Sequence, residues 1–189
     1  MVGGIMAKAR LSPDPQKLHS IVYYDDGKLY WKKRGNPRFD NAWANKEAGC
    51  YKYPSGYGTI SYDGGHLMIH RAVWILHYGA IPCDQEIDHI NGAKADNRIE
   101  NLRICSKGQN ICNSKLRLDN STGVKGVHKT EDGRYWRVRV QFNGKRHELG
   151  VYKSLEDAEL VARTARDAQH GDFANHGKHS KGLNHAYQT

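Results

Sequence analysis

Turn-forming residues interrupt this sequence at short intervals and limit how long any strand or helix can be. Of its 189 residues, 20 are glycine, and paired turn formers recur at Asp26-Gly27, Gly64-Gly65, Asp132-Gly133 and Asn143-Gly144. Asp-Gly and Asn-Gly between alternating residues are strong hairpin signals. We therefore expect short antiparallel hairpins combined with short helices, which is an α+β fold in one domain or two small ones.

The first half of the sequence predicts hairpin strands and one short helix. Strands are predicted at 29–31 and 56–62, each beside a turn signal. Residues 70–78 contain a cluster of apolar side chains that stops before Gly79 and Pro82, as expected for a short helix.

The second half changes character after a polar stretch at 114–122. Strands are predicted at 126–128, 135–142 and 146–152, and they are followed by a helix that Ser154 can cap and that runs to about His170. This part therefore predicts a three-stranded antiparallel sheet packed on one helix.

The charge balance indicates a polyanionic partner. Lys and Arg number 29 against 20 Asp and Glu, which gives a net charge of +9 and a pI near 9.4. No apolar run approaches the roughly 20 residues needed to cross a bilayer, and the first residues lack a secretory pattern. We expect a soluble, cytoplasmic protein with no membrane partner. The four cysteines form no C-x-x-C pair, so no zinc is expected.

The segment EIDHINGAKADNRIENLRICSKGQNICNS, at 86–114, carries the candidate chemistry. It predicts a strand ending at Asp88 and His89, a polar loop, a second strand and a helix containing Asn110, so that Asp88 and Asn110 can face each other. Asp and Asn offer hard oxygen ligands, which suit Mg²⁺ or Mn²⁺ and leave positions for water and phosphate. His89 can remove a proton from an attacking water, and Asn101 can hold its imidazole by accepting from Nδ1–H.

These residues resemble the HNH endonucleases, whose core is the ββα-metal (His-Me finger) fold. The match rests on Asp88-His89, on Asn101-Leu102-Arg103, on Asn110 and on the preceding HRAVWILHYGAIP. It is closest to the phage and intron-homing type, in which Asn replaces the last His of the name. The resemblance implies that His89 is the general base, that Asn101 orients it, and that Asp88 and Asn110 bind one Mg²⁺ (or Mn²⁺) per active site. No small-molecule cofactor is implied.

Residues 121–171 resemble the DNA-binding domain of the plant Apetala-two/ethylene-response-factor (ERF) family. The matching stretches are STGVKGVHK and GRYWRVRVQFNGKRHELGVYKSLEDAELVARTARDAQHG. That family lays a three-stranded sheet in the major groove. Alternation along the predicted strands gives one face for the helix and one polar face for DNA. The expected DNA-binding residues are Lys125, Arg137, Arg139, Gln141, Arg146 and Glu148.

Together these features predict a nuclease domain at 14–117, an ERF-like DNA-binding domain at 121–173 and a flexible tail at 174–189. The expected function is a sequence-targeted endonuclease of the phage or homing type. It would act on double-stranded DNA and nick as a monomer, leaving 5′-phosphate and 3′-hydroxyl ends. A basic segment at 32–38 is expected to touch the DNA backbone. The alternatives are a DNA-binding regulator with an inactive nuclease site and a nuclease for branched DNA. Monomer and dimer both stay open.

Overall fold

The chain folds into short elements that are divided between two compact units. The computed structural model describes residues 13–51, 55–116, 119–142 and 144–177, and the first unit ends at Ser106 while the second begins at Lys107. The mixed α+β class expected from the sequence is confirmed. None of the helices within the described ranges is long and apolar enough to cross a membrane. The domain limits 14–117 and 121–173 stay predictions.

In its described residues, the first unit contains three two-stranded antiparallel hairpins and three α-helices. The hairpins pair β1 (Val22–Asp25) with β2 (Lys28–Trp31), β3 (Thr59–Tyr62) with β4 (Gly65–Met68), and β5 (Gln85–His89) with β6 (Leu102–Ser106). The helices are α1 (Pro15–Ile21), α2 (Pro37–Trp43) and α3 (Ile69–Tyr78). The short helix expected at 70–78 is therefore confirmed.

Two helices of this unit were not predicted from the sequence. Both α1 and α2 begin with a capping residue followed by proline. The side chain of Asp14 accepts from the amide of Gln16, and that of Asn36 accepts from the amide of Phe39. Proline at the first helical position needs no amide partner there, so these two pairs are local start signals that sequence reasoning missed.

One apolar core holds the first unit together and fixes β5. The buried face of α3, with Ala72, Val73 and Ile75, lies in this core with Leu18 of α1 and Ile87 of β5. Burying each of the valine, leucine and isoleucine side chains stabilises the fold by about 1.5–3 kcal/mol. The strand that ends in Asp88 and His89 is thus anchored on packed apolar residues.

The part of the second unit that the structure describes contains a three-stranded antiparallel sheet and two α-helices. Its elements are α4 (Lys107–Cys112), β7 (Val127–Lys129), β8 (Trp136–Phe142), β9 (Lys145–Tyr152) and α5 (Leu155–His170), with strand order β7-β8-β9. Its buried core combines Val127 and Val138 of the sheet with Ala158 and Ala162 of α5. The predicted cap is confirmed, because Ser154 Oγ accepts from the amide of Asp157.

Hydrogen bonds attach the end of α4 to the rest of the second unit. The Lys125 ammonium donates to the carbonyls of Cys112 and Ser114 at 2.9 and 2.7 Å. The Asn175 amide donates to the carbonyl of Asn113 at 2.9 Å. Residues 174–177, the first part of the predicted flexible tail, therefore pack against the unit. Residues 178–189 and Asn143 lie outside the described residues.

Candidate functional site

Antiparallel pairing of β5 with β6 places Asp88 in a charged pair. Asp88 lies opposite Arg103 in the register, and the guanidinium donates to Asp88 Oδ2 through Nε and Nη2 at 3.0 and 2.9 Å. Asp88 is only 6% exposed. A carboxylate has about four acceptor positions, so this pairing is compatible with further ligands. The pair holds the carboxylate in one orientation at the end of the strand.

His89 follows at the last position of β5 and is 3% exposed. Its Nε2 lies 3.1 Å from Oδ1 of Asn97, which is 1% exposed. The Asn97 Nδ2 donates to Tyr51 Oη at 3.1 Å and to the Ala95 carbonyl at 3.3 Å. The hydrogen bond predicted between His89 and Asn101 is thus replaced by one to Asn97.

Asn101 instead closes the loop that follows His89. Its Oδ1 accepts from the amide of Asn91 at 3.1 Å, and its Nδ2 donates to Asn91 Oδ1 and to the Asp96 carbonyl. The side chain therefore ties together both ends of the loop that carries Asn97. Its connection to His89 runs through the loop backbone, which is why spacing alone did not separate the two asparagines.

Two further rings surround His89 and were given no role from the sequence. The rings of His70 and Tyr57 lie 5.1 and 5.9 Å from that of His89, measured between centroids. Burial lowers the pKa of His89, while the Asn97 hydrogen bond and the Asp88 carboxylate act in the opposite direction. Burial and the neighbouring His89 lower the pKa of His70 to about 3. The sequence signal that could have pointed to His70 was its place at the start of HRAVWILHY, the segment that precedes Asp88 and His89 in the HNH resemblance.

Asn110 lies in α4, which belongs to the second unit, whereas Asp88 belongs to the first. That the two bind one metal ion stays a prediction. Across the described ranges, no group of three or more His, Cys, Asp or Glu side chains is placed to hold a metal ion.

The three-stranded sheet presents the polar face that alternation predicted. Arg139 pairs with Glu148 and Gln141 with Arg146 in the register of β8 and β9. Glu148 lies between two guanidinium groups, 3.3 Å from Arg137 Nε and 3.6 Å from Arg139 Nε. Five of the six predicted DNA-binding residues therefore belong to two adjacent strands.

Lys125, the sixth of these residues, has a different environment. Its ammonium group is half-buried and donates to the carbonyls at the end of α4. Burial and the nearby Arg166 lower the pKa of Lys125 to about 8. Lys125 lies just before β7 in the sequence. Because its ammonium group is bound to these carbonyls, it does not extend the polar face of the sheet.

The basic segment near the N-terminus is partly engaged in packing. The Arg34 guanidinium lies over the rings of Trp31 and Phe39, 4.7 and 4.1 Å from their centroids. Lys32 donates to the carbonyl of His19 at 2.8 Å. Two of the cations expected to touch DNA thus also hold α2 and α1 in place.

A family model and the name of one relative indicate the same type of domain. The family model described as HNH endonuclease matches residues 67–111. Protein 3.8 of Escherichia phage T7 is 34% identical over 105 residues, covering 56% of this chain and 86% of that protein. An uncharacterized HNH endonuclease of Acanthamoeba polyphaga mimivirus is 34% identical over 125 residues, covering 66% of this chain and 64% of that protein, which is less than two thirds of its length. No solved structure matches the chain.

Proposed function

Because the chain belongs to the HNH endonuclease family, we propose that it cuts double-stranded DNA with His89 as general base and Asp88 and Asn110 as metal ligands. The observation that carries this proposal is the buried pair formed by Asp88 and His89 at the end of β5, within the matched region. A buried carboxylate beside a buried imidazole is costly unless both have partners, and the chain supplies Arg103 and Asn97 for them.

The donor set at this site fits a hard divalent cation. Asp88 supplies carboxylate oxygen, and Arg103 orients it through Oδ2. Asn110 supplies an amide oxygen, and few protein ligands leave room for water and phosphate around an octahedral ion. We therefore assign Mg²⁺ or Mn²⁺ to Asp88 and Asn110. Such an ion, when bound, polarises the phosphate and stabilises the leaving oxygen.

His89 accounts for activation of the water. A neutral imidazole accepts a proton readily near neutral pH, and burial favours the neutral form of His89. Removal of that proton lets the water attack phosphorus, and the products are a 5′-phosphate and a 3′-hydroxyl. One active centre cuts one strand, so a monomer nicks, and a double-strand break requires a second copy or a second binding event.

Sequence targeting is assigned to the sheet of the second unit. We propose that β7, β8 and β9 form an ERF-like reader whose polar face, with Arg137, Arg139 and Gln141, lies in the major groove. Arg and Gln carry the donors that distinguish guanine and adenine there. Both relatives are viral, and we place the enzyme among nucleases of the phage or homing type, acting in the cytoplasm of the infected cell.

Nicking of supercoiled plasmid DNA tests the activity. With Mg²⁺ or Mn²⁺, the wild-type protein should convert supercoiled plasmid to the open-circular form. His89→Ala should lower the cleavage rate by about 100-fold or more, as expected for loss of a general base, with binding to the same plasmid retained. His19→Ala removes an exposed histidine of the same unit and should cut like the wild type.

The alternative function, a DNA-binding regulator with an inactive nuclease site, gives a different result. It predicts tight DNA binding with no nicking in either metal, including on DNA that contains the protein's native target. Cleavage by His89→Ala near the wild-type rate would instead contradict the assignment of the base while leaving the nuclease function in place.

A further inference from the structure

Asn97 contacts the His89 ring through its side-chain amide, and the orientation of that amide is fixed independently of the ring. Its Nδ2 donates to the carbonyl of Ala95, an oxygen that can only accept. The amide nitrogen must therefore face Ala95, which leaves Oδ1 towards His89. Because Oδ1 can only accept, the hydrogen of the neutral imidazole must be on Nε2.

A second residue contacts the same amide nitrogen from a distant part of the chain. Tyr51 Oη accepts from Asn97 Nδ2 at 3.1 Å. Tyr51 follows Cys50, whose backbone pairs with Thr59 at the start of β3. Tyr51 also lies outside the region that the family model matches, 67–111.

The packing around Tyr51 explains how its hydroxyl is kept in place. A Cβ atom at Gly58 would lie 2.5 Å from the Tyr51 ring, so only glycine allows the ring to approach this closely. The ring thus rests on the backbone that leads into β3. Three elements therefore converge on the amide of Asn97: the segment before β3, the loop after β5 and the ring of His89.

We propose that Tyr51 and Asn97 are positioning residues that orient the His89 ring and hold it as the Nε2–H tautomer. This deepens the proposed function and rests on it for its catalytic meaning. The sequence alone suggested the opposite tautomer, with Nδ1–H donating to Asn101. The two tautomers place the basic nitrogen on opposite sides of the ring, so only one can face a given water.

Nitrogen-15 NMR of histidine-labelled full-length protein tests the tautomer directly. Long-range proton–nitrogen spectra distinguish Nδ1–H from Nε2–H in a neutral ring, and His89→Gln identifies the His89 signals among the 11 histidines. In the absence of metal and DNA, we expect the Nε2–H pattern in the wild type. An Nδ1–H pattern would overturn the proposal, and this result depends on no variant.

Variants separate positioning from general stability. Asn97→Ala removes the acceptor and should give a mixture of tautomers, with kcat lowered about tenfold or more and KM unchanged. Asn97→Asp keeps an acceptor towards Nε2 but loses the donor to Ala95 and Tyr51, so it should keep the Nε2–H pattern and lower kcat less than Asn97→Ala does. Tyr51→Phe removes only a hydroxyl and should lower kcat less than Asn97→Ala. Tyr62→Phe, whose hydroxyl bonds to the Asp14 carbonyl, is its control and should not change kcat.

The outcomes distinguish this proposal from the proposed function. Wild-type kcat in Asn97→Ala, or equal losses in Asn97→Asp and Asn97→Ala, would overturn the positioning role. If the wild type never nicks DNA but shows the Nε2–H pattern, the positioning of His89 by Asn97 and Tyr51 is supported and the proposed nuclease function is contradicted. If an Asn97 variant does not fold, Tyr51→Phe and the wild-type spectrum still decide the question.

Discussion

At the scale of single residues, burial acts in the same direction on two imidazoles that touch. The rings of His70 and His89 are 5.1 Å apart, and burial lowers the pKa of both. Since His70 has a pKa of about 3, it stays neutral and places no cation beside His89 near neutral pH. The neutral His70 ring therefore helps to shield His89 from water and favours the neutral form of His89, which can accept a proton.

The lowered pKa of His89 predicts how cleavage depends on pH. A general base acts in its neutral form, so activity is lost as the pH falls through the pKa of the folded protein. That pKa lies below the ordinary 6.5 because of burial. We expect kcat/KM for nicking to keep most of its value at pH 6.5 and to fall only at lower pH. Rates measured from about pH 5 to about pH 8 at saturating metal check this. A midpoint above 6.5 would contradict it.

The sequence was sufficient to place Asp88 and His89 together at the end of a short strand, as the structure has them, but not to find every residue that contacts His89. Their roles in catalysis stay predictions. The choice between Asn97 and Asn101 was not accessible, because both follow His89 in the same polar loop. Which amide reaches the ring depends on Tyr51, 46 residues away from Asn97 in the sequence. Such a contact is a property of the folded core.

At the scale of elements, alternation and capping residues predicted the sheet and α5 well, because these signals are local. The helices α1 and α2 were missed because each has only seven residues and carries little periodicity. The inclusion of α4 in the second unit could not be predicted either. It depends on side-chain bonds from Lys125 and Asn175 that span long stretches of sequence.

A close approach of two backbones determines how β7 begins. Gly126 has a φ of 77°, and a Cβ atom there would lie 2.5 Å from the carbonyl oxygen of Arg139. The Gly126 carbonyl also accepts from the amide of Arg139 at 2.8 Å. Only glycine combines this left-handed conformation with room for the neighbouring strand.

Substitution of this glycine should therefore destabilise the sheet more than substitution of another glycine with similar φ. Gly133 has a φ of 69°, and a Cβ atom there would meet nothing within 4 Å, so Gly133→Ala suffers only the conformational penalty of about 1–2 kcal/mol. Gly126→Ala should lose a further 1–3 kcal/mol, roughly, from overpacking. Urea unfolding and hydrogen exchange of the Arg139 amide measure the difference. Equal losses for the two variants would contradict the close approach.

At the scale of the whole molecule, the positive charge is spread over both units. The first 80 residues carry 11 basic and 6 acidic side chains, and residues 119–189 carry 12 and 9. Net charge by itself therefore does not identify a DNA-binding face. Part of the charge is also occupied, since Arg34 packs on aromatic rings and Glu148 lies between Arg137 and Arg139. Local arrangement must decide where DNA binds.

Substitution of Glu148 distinguishes DNA binding by the sheet face from attraction by the net charge of the molecule. The sequence counts Glu148 among the expected DNA-binding residues, whereas in the structure it lies between Arg137 and Arg139. If the sheet face binds DNA mainly through these two arginines, Glu148→Gln releases them for phosphates or bases and should strengthen DNA binding by about 0.5–1 kcal/mol, the scale of a surface ion pair. Arg139→Gln should weaken binding and reduce the slope of log affinity against log salt by about 1. Fluorescence anisotropy with labelled duplex DNA over a range of salt concentrations measures both effects.

Glu156→Gln is the matched control, because it removes the same charge from the exposed first turn of α5, the helix that covers the other face of the sheet. If DNA binds the sheet face, only Glu148→Gln should strengthen binding. If the whole molecule attracts DNA through its net charge of +9, both variants should strengthen it equally. No effect of either variant, together with an unchanged salt slope in Arg139→Gln, would remove the sheet from the DNA interface and assign binding to the first unit.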